Sequence, residues 1–199
     1  RAVPMRSVCV ALAVAALLTS VYGVWNAYHP RIKEIDVKMP GLPDEWHDKL
    51  IVQISDAHLG ALYSPQYFMG IASRINSLKP EIIFITGDLF DGISAGRLDA
   101  FVEPLNSLKA RQGVFYVNGN HENYIGMERV SRTLAKTHLR VLRDDVAVVD
   151  GVQLIGIAYP EPGADRDAAA IIRSRPEYTQ GLPTILLYHT PTSFKVTTA

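Results

Sequence analysis

The chain has 199 residues, with Lys+Arg and Asp+Glu balanced at 20 each. That length fits one domain plus a short appendage, and zero net charge excludes a bulk basic field that would gather nucleic acid. A single cysteine, Cys9, excludes a disulfide framework within the chain and zinc held by clustered thiolates, so any metal falls to His, Asp, Asn or Glu.

Residues 7–30 contain no Asp, Glu, Lys or Arg, and residues 8–25 are almost wholly apolar. As a helix that run is about 27 Å long, close to hydrocarbon thickness. Tyr22, Trp25 and Tyr28 sit towards its downstream end, where amphipathic rings favour the interface. Length and flanks predict a membrane helix with its flank over residues 1–30. A cleaved signal peptide with small residues near Gly23, or a buried core helix, meets the same description. Arg1 and Arg6 precede the run and Arg31 and Lys33 follow it, so the positive-inside rule sets no orientation. The chain begins with Arg1 rather than Met, so upstream sequence is expected.

Residues 31–49 read as a connector rich in turn formers (Pro40, Gly41, Pro43), with Ile32, Ile35 and Val37 as a short strand. A βα alternation then begins. Residues 51–54 read as a buried strand. Ser64 and Pro65 start a helix carried by Phe68, Ile71, Ala72, Ile75 and Leu78 and stopped by Pro80. Residues 82–85 are a second strand. Leu98, Phe101, Val102, Leu105 and Leu108 mark a second helix, kinked by Pro104. Residues 114–117 are a third strand, and a third helix is predicted over 127–136. Residues 146–149 and 152–157 form a hairpin about Asp150-Gly151, a helix covers 166–174, and an apolar strand over 184–188 ends at His189.

Alternating βαβ units imply a parallel sheet covered by helices, and such sheets bind ligands at the carboxyl ends of their strands. Three motifs fall there: Asp56-Ala57-His58, Gly87-Asp88-Leu89-Phe90-Asp91-Gly92 and Gly119-Asn120-His121-Glu122. His189 follows a fourth strand. Carboxylate, imidazole and amide oxygen delivered to one edge suit two adjacent divalent ions. Such ions need a shared anion, which Asp88 can supply, and they make a hydroxide available near neutral pH. Asp56 and His58 lie two apart on an extended segment, so both can face one ion. Mixed N/O donors suit Mn, Fe or Zn better than Ca. His121 directly follows Asn120 and is better placed as a proton donor to a departing alkoxide, with Asp91 as the carboxylate that holds it.

Each motif alone has a plainer explanation. Gly-Asp after a strand is often only a turn, Asn-His can cap a helix, and a lone His189 can be a satisfied histidine near the core. Their joint occurrence, in order and each after a strand, carries the argument. His29, His47 and His138 lack that context and read as surface or connector residues. Glu122 is expected to start the next helix and interact with its dipole, not to bind metal.

With these motifs the chain resembles the calcineurin-like metallophosphoesterases, whose pattern is D-x-H, G-D-x-x-D, G-N-H-[ED], a lone His and then G-H-x-H. The phrases Gly41-Leu42-Pro43, Ile54-Ser55-Asp56-Ala57-His58-Leu59-Gly60, Leu78-Lys79-Pro80 and Tyr188-His189-Thr190-Pro191 are similar to the membrane-attached bacterial branch. The resemblance covers residues 31–199. It implies an α/β fold, a four-layer α/β/β/α sandwich, over a domain spanning 50–199. It also implies a dinuclear centre in which Asp56 and His58 bind the first metal, Asp88 bridges, and Asn120 and His189 bind the second. His121 is then the acid and Asp91 its orienting partner. No Gly-His-x-His occurs before Ala199, so the chain reads as a C-terminally truncated fragment, expected to be inactive and to bind metal poorly by itself.

The expected protein is a phosphohydrolase with two divalent ions, Mn favoured over Fe or Zn. It would cleave a phosphomonoester or phosphodiester by attack of metal-bound hydroxide. The membrane helix places it at a membrane, the bacterial inner membrane by resemblance, and makes a lipid or lipid-sugar phosphoester the expected substrate class. Nucleic acid is not an expected partner. The alternative is a catalytically inactive, membrane-anchored binding or scaffold module of the same fold.

Overall fold

The computed structural model describes residues 4–92, 95–161 and 167–190. Arg1, Arg166 and Pro191, which the sequence placed in a flank, a helix start and a motif, lie outside the described residues. The chain divides into two compact units after Lys38.

The first unit is the helix α1 (Met5–Ala27), 23 residues long, none of them buried. At 1.5 Å per residue it spans about 35 Å, enough to cross a bilayer. Two of its hydroxyls, in mid-helix, are satisfied within it, Thr19 Oγ1 donating to Ala15 O at 2.8 Å and Ser20 Oγ to Ala16 O at 2.9 Å. That is what hydrocarbon requires of a polar side chain. By length and composition α1 is a candidate membrane span, a test that a signal sequence near an N-terminus also passes. The strand expected through Ile32, Ile35 and Val37 is not formed, and all three residues are exposed. Among the described residues no strand pairs with them, and an unpaired strand gains nothing over solvated coil.

The second unit starts with a 3-10 turn (Asp44–Trp46) and then runs β1 (Ile51–Ile54), β2 (Leu59–Gly60), α2 (Pro65–Ser77), β3 (Ile82–Thr86) and β4 (Phe90–Asp91). A 3-10 segment (Ala95–Phe101) leads into α3 (Val102–Asn106), followed by β5 (Val114–Val117), α4 (Asn120–Ile125), α5 (Met127–Leu134) and β6 (Arg140–Val141). The chain continues through β7 (Asp145–Val149), β8 (Val152–Ile157), α6 (Ala168–Arg173) and β9 (Thr184–Tyr188). Ser64 caps α2 as its sequence suggests, accepting from the Tyr67 amide at 3.2 Å.

One predicted helix needs correction. The one expected over Leu98 to Leu108 is a 3-10 turn followed by five residues of α-helix, not a kinked helix. Pro104 sits in the first turn of α3, where its missing N–H had no helical partner to lose. The helix expected over 127–136 forms as α5, and Gly126 (φ +104) separates it from the short helix α4 that carries Glu122.

The main sheet is parallel in the order β1-β3-β5-β6, and a second sheet has the order β7-β8-β9. In the second, β7 and β8 form the expected hairpin and β9 joins β8 in parallel. A two-residue parallel pair, β2 with β4, lies beside them in sequence terms but forms its own small sheet. Period-2 alternation sorts the side chains into three cores. Ile83 and Ile85 of β3 face the first core, with Phe68 and Ala72 of α2, Leu105 of α3 and Val130 of α5. Ile82 and Phe84 face the second, against Ala147, Val149, Val152 and Leu154 of the other sheet. Ile155 and Ile157 of β8 turn to the third, against Ile172 of α6. Helices, sheet, sheet and helix therefore stack as four layers. The carboxyl ends of β1, β3 and β5 end side by side, and each is followed at once by one of the histidine–carboxylate motifs.

Candidate metal centre

Main-chain hydrogen bonds bring the first two motifs together. The amides of Asp56, His58 and Leu59 donate to the carbonyls of Gly87, Asp88 and Leu89 at 3.2, 3.0 and 2.8 Å. The segment after β1 thus runs on beside the segment after β3. Along it Asp56 (φ +54), His58 (φ +44) and Asp88 (φ +50) all adopt left-handed backbone. For residues with a Cβ this costs roughly 1–2 kcal/mol each. Three such residues within two adjoining turns are the kind of strain that accumulates where side chains must be aimed.

The side chains converge. One carboxylate oxygen from each of Asp56 and Asp88 and a His58 nitrogen lie within 4.8 Å of one another. Asp56 Oδ1 is 4.0 Å from His58 Nε2, and the Ser55 hydroxyl donates to Asp56 Oδ2. Asp88 is 4% exposed, and its Oδ2 lies 3.3 Å from His189 Nε2 and 3.8 Å from His121 Nε2. His189 arrives from the end of β9, in the other sheet, so its approach joins the two sheets at the site. Its Nδ1 lies 2.9 Å from Thr86 O. A carbonyl only accepts, so Nδ1 donates to it and the ring is held with Nε2 turned to Asp88. Asn120 is the first residue of α4 and is half-buried.

His121 Nδ1 lies 2.9 Å from Asp91 Oδ1, so Asp91 accepts from the imidazole and leaves Nε2 directed to the Asp88 side. The hydrogen bond to His121, with the nearby imidazole charges, holds the Asp91 carboxyl below the usual carboxylate range. Burial pushes the His121 imidazole down, but the Asp91 bond and the charges of Asp88, Asp91 and Glu122 outweigh it and raise it above its ordinary value. His58 stacks edge-on to His121 at 4.6 Å. Its Nδ1 is 3.5 Å from Asp91 Oδ2 but makes no hydrogen bond, and the atom is buried. His58 thus turns Nδ1 to Asp91 and Nε2 to Asp56, and an imidazole held among carboxylates without a hydrogen bond fits a cation among these groups. His58, Asp91 and His121 also lie close enough to form a ligand trio. Because Asp91 and His121 already bond each other, the set around Asp88 is the better fit.

Two glycines are fixed by close approach. A Cβ on Gly119 would lie 2.1 Å from Asp88 Oδ1 and 2.6 Å from Asp88 N. On Gly87 (φ +93) it would lie 2.5 Å from His189 Nδ1. Both positions must stay bare for Asp88 and His189 to sit where they do.

Sequence reading missed two contributors. Thr86 enters through its carbonyl, which no side-chain pattern reveals. Glu122 is completely buried, and its carboxylate accepts from three backbone amides, so its role is not confined to the α4 dipole. The available signal was its position three residues after Gly119, from which a Glu side chain can reach back to the amide that precedes the helix. His29, His47 and His138 are exposed, as read.

A family model described as calcineurin-like phosphoesterase matches residues 49–193. The chain belongs to that family. An uncharacterized metallophosphoesterase of Helicobacter pylori is 31% identical over 173 residues, covering 84% of this chain and 46% of the relative. A transmembrane protein with metallophosphoesterase domain from Danio rerio is 30% identical over 207 residues, covering 96% and 46%. The UDP-2,3-diacylglucosamine pyrophosphatase LpxG of Chlamydia muridarum is 28% identical over 140 residues, covering 67% and 42%. This calcineurin-like phosphoesterase chain spans about half the length of the curated relatives it matches.

Proposed function

We propose that the protein is a membrane-anchored, metal-dependent phosphoester hydrolase, with residues 50–199 in its catalytic domain and 31–49 as connector. The observation that carries this reading is the convergence of Asp56, His58 and His189 on the buried Asp88 carboxylate, beside a separate His121–Asp91 pair. Asp56 and His58 would hold one divalent ion, Asn120 and His189 a second, and Asp88 would bridge them. Mn is the favoured ion, since the donors mix hard oxygen with imidazole nitrogen. Bound there, such ions supply Lewis acidity for the phosphoryl oxygens and acidify water to near neutrality. His121 Nε2 carries a proton to the leaving-group oxygen, and Asp91 fixes the ring by accepting from Nδ1. Asp88 also holds His121 in place, since Oδ1 accepts from the His121 amide at 3.0 Å.

Full-length protein stripped with a chelator should lose hydrolysis of an aryl phosphoester and regain it on adding Mn. Retained activity without divalent metal contradicts the reading. Ions bound without hydrolysis of any phosphoester would favour the inactive binding module instead.

The substrate class we infer is a phosphoester joined to a lipid or lipid-sugar. The membrane-spanning dimensions of α1 and the similarity to a diacylglucosamine pyrophosphatase support it. Deleting residues 1–30 should release the protein from membranes, since among the described residues α1 is the one helix long and apolar enough to cross a bilayer. Sedimentation after a salt wash checks this; a truncated protein that stays with the bilayer would place the anchor elsewhere.

A further inference from the structure

Glu122 stands one residue beyond His121, yet it faces the interior and is 0% exposed. Among the described residues no Lys or Arg pairs with it. Its partners are all backbone amides. Oε2 accepts from Gly119 N at 2.7 Å and from Asp88 N at 3.1 Å, and Oε1 accepts from Phe90 N at 3.0 Å. Two of these donors belong to the segment after β3, more than 30 residues away in sequence; the third, Gly119, directly precedes α4.

The contact is reciprocal. Asp88 sends its own Oδ1 back to the His121 amide at 3.0 Å. Each of the two loops therefore binds the other's main chain with a carboxylate. Gly119 lets them close to this distance, since any Cβ there would overlap Asp88. Asp88 also holds left-handed backbone, so its side-chain direction depends on what fixes that turn. The Glu122 bond to Asp88 N is made to that very residue, and the bond to Phe90 N closes the turn from the other side.

A buried carboxylate without a cation is costly unless its hydrogen bonds satisfy it. Burial pushes the Glu122 carboxyl up, the amides of Phe90 and Gly119 oppose this, and the Asp88 charge adds to the rise. A neutral apolar residue would fill the same space without that cost. What it would not do is hold three amides of two loops in one geometry.

We propose that Glu122 is a positioning residue for the metal centre, its carboxylate locking the 87–90 turn to the start of α4 so that Asp88 is aimed before any ion arrives. The inference rests on the dinuclear reading above. Glu122 touches neither substrate nor ion; it acts through Asp88 and His121.

The test is Mn affinity of the full-length protein in detergent, by titration calorimetry or Mn electron paramagnetic resonance, at a temperature where circular dichroism shows a complete fold. In Glu122→Gln one oxygen can still serve Gly119 and Asp88, but the amide nitrogen then meets the Phe90 N–H, donor against donor. Mn affinity should fall about 10–100-fold, the usual effect of removing a partner one shell from a metal. Leu154→Ala, in the core between the sheets and away from the site, serves as the comparison. It should lower the melting temperature while leaving Mn affinity within about twofold of wild type, since it leaves that outer shell whole. Glu122→Asp keeps charge and near-native volume but is too short to reach all three amides, and should show a smaller loss in the same direction. Wild-type Mn affinity in Glu122→Asp or in folded Glu122→Gln overturns the proposal. So does equal loss of affinity in Leu154→Ala. A wild-type protein that binds no Mn overturns the dinuclear reading, and this inference with it; Mn binding by wild type and both Glu122 variants alike overturns the inference alone.

Discussion

Asp88→Asn should bring phosphoester hydrolysis to background while leaving the protein folded. Asparagine has the same shape, and its oxygen can still accept from the His121 amide, as Asp88 Oδ1 does at 3.0 Å. The contact of Glu122 with the residue-88 amide is main-chain on that side and is retained. What disappears is the negative charge. The replacement NH2 group would occupy the position of Oδ2, 3.3 Å from His189 Nε2, and present a donor where a cation is to be shared. Partners one shell further out typically cost 10–100-fold in metal affinity, so loss of the bridging carboxylate should exceed about 100-fold. Turnover with Mn, metal content after dialysis and circular dichroism together check this. Near-normal turnover in a folded Asp88→Asn protein would remove Asp88 from the bridge.

The second large effect separates chemistry from metal binding. His121→Gln should leave most of the bound metal in place, because the ligand set proposed here excludes His121. It should slow alkyl phosphoesters by about 10²–10⁴-fold, the usual contribution of a general acid. Aryl phosphoesters, whose leaving groups depart without much protonation, should lose far less. The His121–Asp91 contact at 2.9 Å is what makes this a defined expectation, since Asp91 holds Nδ1 and leaves only Nε2 for the substrate. The readout is the ratio of alkyl to aryl rates in the variant against wild type. Equal damage on both substrates, or extensive loss of metal, would assign His121 to the ligands.

Much of the fold was legible because its signals are local. The apolar runs at 51–54, 82–85 and 184–188 are too short for helices and too apolar for loops, and they form β1, β3 and β9. Asp150-Gly151 marked the hairpin between β7 and β8 through turn chemistry alone. The elements that escaped are short or depend on distant partners. Strands β2 and β4 are two residues each and exist because Leu59 and Gly60 meet Phe90 and Asp91 across two loops. Helix α4 has six residues and no apolar stripe, so only its start near Glu122 could be read and not its end at Ile125. Ile32, Ile35 and Val37 have the alternation of a strand but no partner among the described residues, which only the fold could reveal.

The same division runs through the site. The residue types and their place after strands could be read from the chain, because strand ends in a parallel sheet fall on one edge. The supporting groups could not. Thr86 acts through a carbonyl, and Glu122 is defined by amides at 88 and 90 that reach it only after folding. A carboxylate next to a histidine looks like a helix-start residue in sequence; burial decides otherwise.

The proposed function requires these strand ends to hold two divalent ions around Asp88. Its most direct test is to strip the full-length protein, reload it with Mn, remove free metal and count ions by elemental analysis while activity is followed on the same samples. Two ions per chain, with activity rising as the second site fills, is the predicted result. One ion or none per chain, or full activity from metal-free protein, would contradict it.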